Sequence, residues 1–426
     1  MTTTTLTLTR PTSAPWEHPA AYWPHLTAAT ADVDTPFGAL SVEALAANAF
    51  DLLDRAAGMP IRVASKSVRV RGVLDAVLAL PGYHGILAYT LPEALWLAGG
   101  TDGNGDGHDD VVVGYPSVDR AAIAQLAADA RLASRVTLMI DDLAQLDLID
   151  AVVPPARRAA PIRLALELDS SYESALLGHV GVRRSPIHTA EAARSLAASI
   201  VTRPGFRLVG MMGYEAQIAG VTNKGTGRAT MIRRMQRASA AELADRRGAA
   251  VAAVRELAEL EFVNGGGTGS FETTRADPSV TELAAGSGLF GPHLFDGYVQ
   301  FTPAPAAAFS LSVVRRPTAE VATLLGGGWI ASGPTAPDRQ PRLVWPEGLT
   351  TLSREAAGEV QTPVTGAAAS RLSVGDRVWL RHTKAGELSE HLNAFALLSM
   401  GDGAGERGAE LVGELPTYRG EGKAFL

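Results

Sequence analysis

The feature that most narrows the folds open to this chain is a repeated alternation of short β-branched runs with alanine-rich helical stretches. Runs suited to strands occupy residues 61–66, 85–90, 110–115, 135–140, 162–168, 206–212, 261–264 and 281–285. Helical spacing fills the intervals, as at 118–133, where Ile123, Leu126 and Ala130 fall on one face. Several runs are apolar without alternation, which fits parallel strands covered on both faces. About eight such units over roughly 250 residues match an α/β fold of the (β/α)8 TIM-barrel type, whose active site lies at the C-terminal strand ends. A doubly wound open sheet is the competing arrangement. The strand count disfavours it, as does the lack of a Gly-x-Gly-x-x-Gly turn after the first run.

The flanks of the alternation set the expected domains. Residues 1–34, rich in Thr, Pro and Trp, read as an irregular arm that packs on a later domain, and 35–300 as the barrel. Ser41 is placed to cap a helix carrying Val42, Leu45, Ala49 and Leu52, with Gly58 closing it. Over 301–426 the helical periodicity fades, and short strands separated by Pro and Gly appear at 308–314, 342–345 and 376–381. That stretch reads as a β-rich C-terminal domain. A chain of 426 residues is long enough for two domains.

Charge and composition remove several functions. A net charge of −7 argues against non-specific nucleic-acid binding, which needs clustered Lys and Arg. The chain has no cysteine, so any metal must be held by His, carboxylate or amide ligands. Met1 to Ala14 is Thr-rich without an apolar core, so it does not read as a signal peptide, and no long uncharged apolar run suggests a membrane span. The expectation is a soluble, cytoplasmic protein with no nucleic-acid or membrane partner.

Within the barrel, position along each strand carries meaning. Lys66 closes the first strand and Tyr214 follows the sixth. Gly265-Gly266-Gly267-Thr268-Gly269 follows the seventh strand and Gly286-Ser287-Gly288 the eighth. A lysine at a strand end is more often than not a solvated loop charge, and a glycine cluster alone marks a tight turn. Two clusters in the loops that commonly hold phosphate shift the balance. Their N–H groups can approach an anion, and Thr268 and Ser287 add hydroxyl donors. An amine and a phosphate cradle in one mouth suit pyridoxal 5′-phosphate.

Longer motifs carry a resemblance. Thr35-Pro36 precedes a helix containing Asn48, and Ser65-Lys66 ends the first strand. Gly213-Tyr214-Glu215-Ala216-Gln217 follows the sixth strand, and Asn264 to Gly269 pairs with Thr281 to Ser287. Together these segments resemble the alanine-racemase-like, fold type III pyridoxal-phosphate enzymes, in the D-threonine aldolase and D-serine dehydratase branch. The resemblance runs from about residue 35 to the C-terminus. It implies Lys66 as the Schiff-base lysine and Tyr214, Gln217, Gly266, Gly267, Thr268, Gly286 and Ser287 as cofactor contacts. It also implies a homodimer acting on a small amino acid. The leading activity is retro-aldol cleavage of β-hydroxy-D-amino acids to glycine and an aldehyde. Elimination of the D-serine dehydratase kind comes next. Racemisation follows, for which Tyr418 is the only tyrosine after Tyr298. A non-catalytic role in cofactor homeostasis comes last, since proteins of that role resemble the barrel alone.

Departures from the pattern are specific. The resembling branch carries a metal on a His with Asp or Cys two residues later. The corresponding segment here runs from His382 to Asn393. His391-Leu392-Asn393 has that spacing with an amide in second place, so a divalent cation (Mn, Mg or Zn) would rest on His391 and Asn393. His391 or His382 is alternatively a metal-free acid/base or a structural histidine. His179 stands where the branch carries an arginine, with Arg183 and Arg184 next in line as substitutes. Asp102 to Gly107 matches the first half of a calcium loop but places Val113 at the twelfth position, so it reads as a polar insertion. The basic stretch Arg228 to Arg247 reads as a solvated helix face.

Overall fold

A computed structural model describes residues 5–100, 107–334, 336–384, 386–401 and 408–426. Eight parallel strands close a barrel: β1 (Ile61–Ala64), β2 (Tyr83–Ala88), β3 (Val111–Val113), β4 (Val136–Ile140), β5 (Ile162–Glu167), β6 (Phe206–Gly213), β7 (Phe262–Gly265) and β8 (Glu282–Ala285). Each pairs with the next in sequence, and Leu283 lies opposite Ile61 where β8 meets β1. All eight expected strands are present, with ends moved by a few residues. The expected helix at 118–133 is two helices, Arg120–Ala128 and Ala130–Arg135. Asp129 separates them because its carboxylate accepts the amides of Arg131 and Leu132, capping the second helix. The Asp102 to Gly107 motif lies almost wholly outside the described residues.

The barrel is filled rather than hollow. Ala64, Leu87, Val112, Met139, Ala165, Val209, Met212, Phe262 and Ala284 form one buried cluster drawn from every strand. Arg62, only 1% exposed, lies with its guanidinium 5.1 Å from the centre of the Phe262 ring. It binds Glu282 at 2.7 Å and Asp110 at 2.8 Å, while Asn264 and His84 each reach Glu282 at 2.9 Å. The β1 run that looks apolar therefore carries a charge inside the barrel, neutralised by an acid from β8.

By internal contacts the chain divides into two units. One takes residues 53–66, 81–285 and 425–426 and contains the barrel. The other takes 1–52, 67–80 and 286–424. The second is built on a nine-stranded sheet. Strand Phe37–Ser41 runs antiparallel to Ala307–Thr318 and parallel to Ala394–Ser399. The helix Pro19–Ala29 buries Tyr22, Trp23 and Leu26 in a cluster with Phe37, Trp379 and Leu398. Ser41 opens the helix Val42–Ala56, its hydroxyl 3.4 Å from the Ala44 amide. Asn48 ties the loops after residue 288: its amide donates to Leu289 and Ala304 and accepts from the Ala304 amide. No described helix is long and apolar enough to cross a membrane.

Candidate active site

The C-terminal ends of the barrel strands gather groups with chemistry. Lys66 is the middle residue of the short turn Ser65–Ser67 that follows β1, and its Nζ lies 2.6 Å from the Tyr115 hydroxyl. Tyr115 comes just beyond β3, carried by Gly114, whose amide donates to Ala88 of β2. Glu167 is the last residue of β5, and Asp141 follows β4. Burial and the nearby Asp141 charge push the Glu167 carboxyl up to about 7, against the pull of Arg184 and Lys66. Asp141 is itself raised, again chiefly by burial. Burial pushes the Tyr214 phenol up to about 12, so it stays protonated. The Arg184 guanidinium bridges the two tyrosines, 5.9 Å from the Tyr115 ring centre and 5.7 Å from that of Tyr214.

The glycine turn after β7 joins this group. Gly266 has φ +82°, and a Cβ at Gly267 would come within 3.1 Å of the Tyr214 ring. Glu215 holds the turn from behind: it accepts the Gly266 amide at 3.1 Å and the Thr274 hydroxyl, with Arg247 3.4 Å away. Arg55 donates to the Thr268 carbonyl at 2.7 Å and to Glu272. The stretch Arg228 to Arg247 therefore is not simply a solvated face. Arg247 is buried against Glu215 and Asp277, and Arg246 donates to the carbonyls of Asp169 and Ser171.

Lys66, Tyr214, Gly266, Gly267 and Thr268 thus lie in one unit, with Tyr115 and Arg184 linking the lysine to Tyr214. Gln217 is buried in the same unit, its amide nitrogen spent on the Ser170 carbonyl at 2.7 Å and the Ser239 hydroxyl at 2.9 Å. It braces the loop after β5 against the one after β6. Gly286 and Ser287 follow β8 in the chain and belong to the other unit, as do His382, His391 and Asn393. His382 is 3% exposed and lies edge-on to Phe290, and burial, aided by Arg381 and His293, pushes it down to about 3. His391 stacks flat on Trp329 with ring centres 5.0 Å apart, and burial lowers its pKa as well. Tyr418 is buried in that unit. Among the described residues no three His, Asp or Glu side chains gather as a metal site.

Sequence reasoning passed over Tyr115, Asp141 and Glu167. All three obey the strand-end rule that singled out Lys66.

The architecture of the chain is that of the alanine-racemase-like barrel with a β-rich C-terminal domain. D-threonine aldolase from Filomicrobium marinum is similar over 91% of this chain and 95% of its own, with a TM-score of 0.70 and 21% identity. D-threo-3-hydroxyaspartate dehydratase from Delftia sp. HT23 is similar over 90% and 97%, with a TM-score of 0.64 and 19% identity. Alanine racemase from E. faecalis shares the fold at a TM-score of 0.56 and 14% identity, over 83% of this chain and 92% of its own. No protein-family model matches the chain, and no curated protein matches it by sequence.

Proposed function

We propose that this chain is a pyridoxal-phosphate-dependent lyase acting on β-hydroxy-D-amino acids, cleaving Cα–Cβ to give glycine and an aldehyde. The observation that carries the reading is the Lys66 amine at the end of β1, 2.6 Å from the Tyr115 hydroxyl in a mouth shared with Glu167 and Arg184. The residues present fit the cofactor. Lys66 offers the amine, and Gly267 lets the turn after β7 pack close against the Tyr214 ring, with the Gly266 and Gly267 amides held by Glu215 and Ser270. When bound, the cofactor supplies an electron sink for the pair left when a bond to Cα breaks.

The chain's own groups divide the remaining work. Tyr115 accepts a hydrogen bond from Lys66 Nζ and so fixes where Nζ points. Glu167, poised near neutrality, both holds and releases a proton beside Lys66. Tyr214 stays a phenol and gives the glycine turn an apolar wall. In the cleavage, the proton leaves the β-hydroxyl, the Cα–Cβ bond breaks, and Cα gains a proton to become glycine. The divalent-cation alternative does not fit the residues at hand: among the described residues no three His, Asp or Glu gather as a metal site, and Asn393 beside His391 offers only an amide. No step is assigned to a metal. We expect a homodimer.

Elimination is the second reading, favoured by the likeness to the 3-hydroxyaspartate dehydratase fold. Product analysis separates the two. Purified protein supplied with pyridoxal phosphate should convert D-threonine to glycine and acetaldehyde, whereas a dehydratase yields an oxo acid and ammonia. A Lys66→Ala variant should lose both turnover and the visible absorbance of the protein-bound cofactor. Full activity in that variant would end the proposal.

A further inference from the structure

A cleft of about 410 Å³ opens beside the lysine mouth, lined by Asp169, Glu173, His179, Arg183, Arg184, Ser185, Pro186 and His188. It lies where β5 runs out into the hairpin formed by Tyr172–Ser174 and Gly178–Val180. Both of its carboxylates are engaged within the protein. Asp169 takes the Ser171 hydroxyl at 2.6 Å and His188 Nδ1 at 2.9 Å, and Glu173 takes His179 Nδ1 at 2.6 Å. Burial pushes Asp169 up, but the hydrogen bonds from Ser171 and His188 outweigh it and hold the carboxyl below its ordinary value. Both arginines, in contrast, are exposed; the Arg184 charge acts on Glu167, and no salt bridge of Arg183 is found among the described residues. Arg184 faces Tyr115, which receives the Lys66 hydrogen bond, and Tyr214.

Two guanidiniums therefore line a cleft whose acids are already taken. Guanidinium forks recognise carboxylates by paired, charge-assisted hydrogen bonds, which a lysine or a neutral donor does not reproduce. An amino acid with a neutral side chain brings one carboxylate to such a cleft, whereas one with an acidic side chain brings two.

Resting on the lyase reading, we propose that the cleft selects β-hydroxy amino acids with a carboxylate on the side chain, Arg184 receiving the α-carboxylate and Arg183 the second one. Arg183 is then a specificity-determining residue. His179 and His188 hydrogen-bond the two acids that share the cleft, Glu173 and Asp169.

The test pairs kinetics with binding. Turnover of D-threo-3-hydroxyaspartate should exceed that of D-threonine in kcat/KM by at least about tenfold, a difference of about 1.4 kcal/mol. Arg183→Gln should erase that margin by raising KM for the dicarboxylate, with D-threonine little changed. Equal kcat/KM for the two substrates, or an equal loss on both in the variant, overturns the proposal. Binding of D-malate, followed by calorimetry on the cofactor-loaded protein, does not depend on turnover. It should be detectable with the parent and lost in both Arg183→Gln and Arg184→Gln. If neither substrate is turned over but malate binds in this manner, the lyase reading fails and the cleft stands. If D-threonine is cleaved but malate does not bind, the cleft assignment fails and the lyase reading stands.

Discussion

In the proposed lyase, Glu167 is the residue on which proton handling turns. A carboxyl raised to about 7 in the folded protein titrates where its unfolded counterpart is already ionised. The folded form binds the proton more tightly, so stability is greatest below the unfolded value and falls as pH rises through about 7. Glu167→Gln keeps the shape and removes the titration. We expect its melting temperature to become flatter between pH 5 and 8 than that of the parent, followed by calorimetry across pH. The pH–rate profile should lose its inflection near 7 together with most of the activity. A variant whose pH–rate profile matches the parent's would remove Glu167 from the proton path.

Among the elements, β1 and β8 depend on each other through a charge. Arg62 and Glu282 are 1% and 2% exposed and 2.7 Å apart, and Glu282 is held down to about 2: burial raises it, while His84 and Arg62 together lower it further. Its stabilisation is present above the unfolded carboxyl value and is lost as pH falls towards 2. Removing one partner of a buried pair leaves the other charge uncompensated, a cost of about 3–5 kcal/mol. Arg62→Ala should therefore lower the denaturant midpoint sharply, and Arg62→Ala with Glu282→Leu should recover part of the loss. This pair also marks how far the sequence could be read. The β1 run and the Lys66 that ends it were legible because strand period and strand end are local properties. Arg62 was not, since its tolerance inside a barrel depends on Glu282 at the far end of the β-strand series. Tyr115 looked like any strand-forming aromatic, and its meaning arises only once β1 and β3 bring Lys66 within hydrogen-bond reach. The position of Glu167 was readable, but its raised pKa comes from burial and from Asp141 on the neighbouring strand. His391 and Asn393 had suggestive spacing, yet spacing says nothing of the Trp329 ring that occupies one face of the imidazole.

At the scale of the whole molecule, the two units are interleaved along the chain. The β-rich unit uses residues before, within and after the barrel sequence, and its strand Phe37–Ser41 lies between partners that begin at Ala307 and Ala394. A chain ending at residue 300 leaves that strand without either neighbour and Trp23 without Trp379. We expect such a truncation to give insoluble protein, or soluble protein with no cooperative thermal transition. A monomeric, sharply melting fragment would contradict this. The same interleaving bears on synthesis. From Ser41 to Ala394 lie 394 − 41 = 353 positions, which a ribosome adding 5–20 residues per second covers in roughly 20–70 s. Throughout that interval one edge of a central strand has no partner, while the barrel strands already emerged can pair among themselves. Nascent chains of this architecture are therefore exposed to chaperones through the N-terminal strand, long before any lysine, cleft or cofactor can matter.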